Sequence, residues 1–180
     1  MPKPVRRVVT GHTPDGRATI VMDGPAPQVS PGADPEGGST VLWVTHGSPA
    51  SNAGNDEAAP AGVRLPVAPA SRGGTVFRIV DFLPASRGVA PMSALSGVHH
   101  TAERTARHPG FHQTDTVDYA LVLEGEVWAV LDDAETLLKA GDVLIQRGTY
   151  HAWDNRSEAV CRIAFVLIDA TPGTSSLAGE

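Results

Sequence analysis

The sequence predicts an all-β protein, an antiparallel sandwich or barrel of short strands. Three observations carry this. Nineteen glycines and fifteen prolines punctuate the 180 residues at short intervals. Between them lie brief runs rich in β-branched and aromatic residues, the composition of strands. Only one segment has a helical pattern, and from residue 111 onward apolar runs and turns alternate without a break.

In chain order, residues 5–9 (VRRVV), 18–22 (ATIVM), 40–45 (TVLWVT) and 75–82 (TVFRIVDF) read as strands. Residues 23–38 form a proline-glycine loop, and residues 47–74 a second loose segment rich in Ala, Pro, Gly and Ser. Both exceed ordinary connections and are expected to be partly mobile or to wrap over a neighbour. Residues 91–107 carry the predicted helix: Pro91 suits its first turn, Met92, Leu95 and Val98 follow helical spacing, and Pro109-Gly110 ends it. Residues 117–124 and 126–131 meet at Gly125 and read as a hairpin. Asp132-Asp133 turns the chain into 135–139, and Lys139 to Asp142 turns it again. Residues 142–146, 149–154 and 160–169 complete the strands, and the last ten residues read as a frayed tail.

A chain of 180 residues buries one core comfortably. Its 41% hydrophobic and 19% charged content is that of a globular protein. A net charge of −6 argues against a nucleic-acid surface. The N-terminus lacks the apolar region of a signal peptide, and no apolar run reaches the roughly 18 residues of a membrane helix. A cytoplasmic protein is expected. Cys161 is the single cysteine, so no intrachain disulfide can form. It lies in an apolar run and reads as packing.

The chemistry concentrates in residues 112–155. Side chains alternate along a strand, so His112, Thr114, Thr116 and Asp118 share a face, as do His151 and Trp153. If both faces look into one cavity, two imidazoles and a carboxylate converge there. That set suits Fe, Mn, Zn, Ni or Co as divalent ions. Without a metal, the same histidines hydrogen-bond to their neighbours and line a pocket. Arg78 and Arg162, each inside an apolar strand, call for carboxylate partners. No nucleophile elbow and no phosphate-cradling glycine loop is present.

These residues resemble the cupins. His112, Asp118 and Gly125 match the first cupin motif, with Thr114 where a second His belongs and Asp118 where a Glu belongs. Gly141, Gly148, His151 and Asn155 match the second motif, with Arg147 in place of the usual Pro. The run from His112 to Tyr119 is similar to the His-x-Thr-Asp-Thr-x-Asp-Tyr signature of a bacterial single-domain cupin subgroup. The resemblance implies a double-stranded β-helix, or jelly-roll barrel, over 74–170. Residues 1–73 would then pack on the barrel or on a partner, and 171–180 would form the flexible tail. It also implies a small-molecule substrate or ligand, no membrane partner, and a homodimer that exchanges N-terminal segments. The expected metal ligands, and catalytic residues, are His112, Asp118 and His151, with Gln146 as a further oxygen ligand. Thr114, Thr116, Val143, Trp153 and Asn155 would line the substrate pocket. Oxygenase, decarboxylase, lyase and cyclase or isomerase chemistry all occur on this fold, so a metal-dependent enzyme of open reaction type is expected. The alternative is a metal-free, non-catalytic binding module.

Overall fold

A computed structural model describes residues 2–63 and 65–173. The expected tail beyond 173 lies outside the described residues. Eleven strands are described: β1 Arg6–His12, β2 Ala18–Pro25, β3 Gln28–Pro31, β4 Gly38–Thr45, β5 Thr75–Phe82, β6 Thr116–Glu124, β7 Glu126–Val130, β8 Glu135–Lys139, β9 Val143–Arg147, β10 Ala152–Asp154 and β11 Cys161–Asp169. Among the described residues one α-helix, α1 Ala102–Arg107, joins them. The fold is all-β.

Six strands form the large sheet in the order β3-β4-β5-β11-β6-β9, and three form a smaller one in the order β10-β7-β8. The main core lies between them. Val76, Ala120, Val122, Ile163, Phe165 and Leu167 from the large sheet pack against Val127, Ala129, Leu138 and Trp153 from the small one. From β6 onward the chain passes repeatedly from one sheet to the other, which is jelly-roll connectivity. A separate two-stranded ribbon, β1-β2, stands beside this sandwich.

Three expectations are corrected. Gly125 does not close a hairpin. β6 pairs with β9 and β11, whereas β7 pairs with β8 and β10, so Gly125 is the point where the chain crosses between sheets. Its φ of +76° and the 2.7 Å approach of Val160 O to a would-be Cβ both require glycine. The helix over 91–107 is broken. A 3₁₀ turn at Met92–Ala94 is followed by Gly97 at φ +78°, and His99 bridges Gln113 instead of continuing a helix. The helix starts only after Thr101, whose hydroxyl accepts from Arg104 N. Finally, the proline-glycine loop contains β3, hidden in sequence by its flanking prolines.

The segment 47–74 folds onto its own sandwich. Ala59 is fully buried, and Leu65 and Val67 pack on the main core. Arg7 pairs with Glu57, and Gln28 donates to Val63 O. From inside the barrel, Arg78 donates to Pro66 O (2.6 Å) and Val67 O (3.1 Å), tying this segment down.

Candidate active site

His112 follows the Pro109-Gly110 turn, positioned by the fully buried Phe111, which packs on Val130 and Ala152. His151 precedes β10. The two residues form an antiparallel bridge, each backbone N donating to the other's carbonyl at 2.9 Å. Their rings lie 4.3 Å apart, centroid to centroid, tilted by 49°. Both side chains are buried.

Hydrogen bonds settle the protonation of both rings. His112 Nδ1 lies 2.9 Å from Gly110 O, and His151 Nδ1 lies 3.0 Å from Thr149 O. A carbonyl only accepts, so each Nδ1 carries the proton and each neutral ring keeps its lone pair on Nε2. Burial holds the His112 pKa below the ordinary histidine value. Burial, aided by the neighbouring His112, pushes His151 down to about 3. At neutral pH the site thus offers two unprotonated Nε2 atoms.

Asp118 projects inward from β6, buried, and its Oδ1 has no hydrogen-bond partner among the described residues. Burial raises its pKa to about 6, against the Thr116 hydroxyl and the Arg78 charge, which both pull it down. Thr114 and Thr116 are buried beside it, their hydroxyls 2.6 Å apart. The strand bends at Asp115, yet all three side chains stay on the inner face. Gln146, opposite Asp118 on β9, donates its Nε2 to Thr149 O and Oγ1. Its carbonyl oxygen is therefore the atom able to act as a ligand.

The structure thus unites His112 with His151. Among the described residues, however, no group of three or more His, Cys, Asp or Glu is close enough to hold a metal ion. Two neutral imidazoles with Nε2 free are donors of the type a divalent ion takes. Asp118 does not complete a three-residue group among the described residues, and an aspartate has an arm one methylene shorter than a glutamate.

Two expected pocket residues are elsewhere. Val143 lies on the outer face of the large sheet, 59% exposed, because β9 alternation turns only Leu144 and Gln146 inward. Asn155 is a structural clamp: Nδ2 donates to Phe82 O and Ala159 O, while Oδ1 accepts from Ser157 N and Oγ. Trp153 is core, packed between Phe82 and Phe165, with His151 meeting it edge-on at 5.7 Å. Away from the pair, His99 reaches Asp115 at 3.1 Å, and His108 Nδ1 accepts from Gly110 N.

Both arginines expected to need carboxylate partners are buried, and they differ in whether they find one. Arg162 does form the expected bidentate pair with Asp81 (2.6 and 2.7 Å), but Arg78 makes no ion pair among the described residues. Its Nε has no hydrogen-bond partner, and burial lowers its pKa to about 10, partly offset by Asp118. Alternation in TVFRIVDF sets Arg78 on the face of Val76 and Val80.

The fold and the histidine pair together define an all-β jelly roll with an imidazole-lined interior. No family model matches the chain. It is 37% identical over 115 residues to phomopsin biosynthesis cluster protein C' of Diaporthe leptostromiformis, covering 63% of this chain and 47% of that protein. It is 36% identical over 102 residues to oryzines biosynthesis cluster protein J of Aspergillus oryzae, covering 56% of this chain and 45% of that protein. The chain spans about half the length of these curated relatives. With the cupin-domain-containing oxidoreductase fogC of Aspergillus ruber it shares 27% identity over 169 residues, 92% of this chain and 72% of that protein. Among solved structures it is similar to a putative ethanolamine utilization protein Q from Salmonella typhimurium (TM-score 0.44, 14% identity, 95% of this chain and 99% of that one). No helix among the described residues is long and apolar enough to cross a membrane.

Proposed function

We propose that the chain is a cupin-type enzyme, of oxidoreductase class, acting on a small organic molecule, with His112 and His151 holding a divalent metal ion. One observation carries this reading: two buried imidazoles, side by side, each fixed by a carbonyl at Nδ1 so that Nε2 is free. Its reaction class follows the relatives named cupin-domain-containing oxidoreductases. Bound there, an ion of the Fe, Mn, Zn, Ni or Co type supplies Lewis-acid polarisation or a site for dioxygen.

The protein's own groups do the rest. Depressed pKa values keep protons from competing for the two Nε2 atoms near neutral pH. Asp118, titrating at about 6, holds a proton below that pH and accepts one above it, the range of a general acid or base. Gln146 offers its carbonyl oxygen as a further ligand. Trp153 shields one side of the His151 ring from water.

A second reading, a metal-free binding module, is favoured by the lack of a three-residue ligand group among the described residues. Plasma mass spectrometry on untagged protein separates the two. The metal reading expects stoichiometric ion, removable by chelator and lost in His112→Ala and His151→Ala. Absence of stoichiometric ion after incubation with each of the five candidate metals would reject it.

A further inference from the structure

Arg162 and Arg78 carry the same planar fork of donors, Nε beside Nη2. In Arg162 a carboxylate closes it: Nε donates to Asp81 Oδ1 (2.6 Å) and Nη2 to Asp81 Oδ2 (2.7 Å). In Arg78, Nη2 donates to Pro66 O and Val67 O, and Nε has no acceptor among the described residues. Arg78 is only 8% exposed, and its Nε is closed off from bulk solvent. A buried cation with an unmet donor is costly unless something completes it. The two carbonyls at its fork come from residues 65–67, which belong to no strand and whose Leu65 and Val67 side chains pack against the main core. Across the sheet Arg78 lies opposite Phe165. Phe165 packs on Trp153 at 5.3 Å, and Trp153 meets the His151 ring at 5.7 Å. One aromatic run inside the sandwich thus links the open fork to the histidine pair.

We propose that Arg78 binds a carboxylate of the small organic molecule, and that residues 65–67 are a plug which this ligand displaces. Three features select the ligand's chemistry. The first is charge: one guanidinium without an ion-pair partner among the described residues calls for one negative charge. The second is shape. Nε and Nη2 lie in one plane and match two coplanar oxygens, as Asp81 shows on Arg162. The third is surroundings. The place held by Leu65 and Val67 adjoins the main core, so the body attached to the carboxylate is apolar. Pro66 and Val67 offer the fork only carbonyl dipoles, whereas a carboxylate brings a full opposite charge and an acceptor for Nε. The inference rests on the function proposed above only in taking the ligand to be the substrate; the binding itself needs no ion.

Nitrogen NMR of the arginine side chains in the wild-type full chain tests this without relying on any variant's folding. On titration with sodium benzoate to about 20 mM, enough to fill even a millimolar site, the Arg78 Nε–H signal is expected to move downfield while that of Arg162 stays in place. Exchange of the Val67 amide, which donates to Ser96 O, is expected to quicken as the plug lifts. In calorimetry, benzamide (the same shape without the charge) and inorganic phosphate are expected to bind at least about 10-fold more weakly than benzoate. Arg78→Lys keeps the charge but loses the fork, and is expected to weaken benzoate by a similar factor of about 10. Leu65→Ala trims the plug and is expected to tighten it. An unmoved Arg78 signal would overturn the proposal, as would benzamide binding as well as benzoate, or Arg78→Lys binding benzoate like wild type. Plasma mass spectrometry keeps the two readings apart. A moving Arg78 signal in protein that takes up no ion sinks the metal centre alone, and stoichiometric ion beside an unmoved signal sinks the carboxylate alone.

Discussion

Two arginines of the large sheet meet burial in opposite ways. Arg162, on the outer face under the N-terminal segment, closes a bidentate pair with Asp81, and the Asp81 hydrogen bonds raise its pKa. Arg78, on the inner face, donates from Nη2 to the carbonyls of Pro66 and Val67. Its pKa falls, and Asp118 on a nearby strand is left with a bare oxygen. The outer pair is closed and inert. The inner pair is open, and an open buried carboxylate titrates near neutrality instead of near 4. A pair satisfied within the protein contributes structure, whereas one left unsatisfied supplies a group ready to exchange protons.

The largest effect should come from breaking the closed pair. Asp81→Ala leaves a buried guanidinium without its counter-charge and is expected to cost about 3–5 kcal/mol in urea unfolding. Asp118→Asn at pH 8 should cost far less. Equal costs for the two would end the distinction.

The second test is the sign of the pH dependence. The folded pKa of Asp118, about 6, lies above the unfolded value of about 3.9. The folded state therefore binds more protons between these values. The stability this group contributes is full below about pH 4 and is lost as pH rises through 6. Relative to wild type, Asp118→Asn should thus gain up to about 3 kcal/mol between pH 4 and pH 8. Carbon NMR of the carboxylates should show one midpoint near 6.

The histidines oppose this. Both folded pKa values are depressed, so the unfolded state takes up protons first, and stability falls as pH drops below about 6.5 toward the His151 value of about 3. His151→Gln should flatten that acid-side loss in thermal melts recorded between pH 6.5 and 4. The smallest expected change sharpens the inner half of the comparison. Thr116→Val removes a hydroxyl that favours the charged carboxylate, so the Asp118 midpoint should move upward in the same NMR titration.

Much of the architecture was legible from local pattern. TVFRIVDF and the run at 135–139 became strands with the expected bounds, because alternation and bounding turns were unambiguous. What failed was non-local. Gly125 marks a sharp change of direction whether the chain folds back or crosses to another sheet, and only the partners of β6 and β7 decide which. The meeting of His112 and His151 was legible as a condition on strand faces. The open state of Asp118 and Arg78 was not, since it depends on distances between strands far apart in sequence. Val143 misled because its two-residue period runs in phase with Ile145 and against Gln146.

The spacing of positions 112 and 151 is fixed by main-chain amides, and each ring is then oriented through its own Nδ1. Residues 112 and 151 are stapled by reciprocal bonds that any amino acid but proline can make. The main-chain clasp between these two positions does not itself use either ring, so a substitution there removes a nitrogen without removing the clasp.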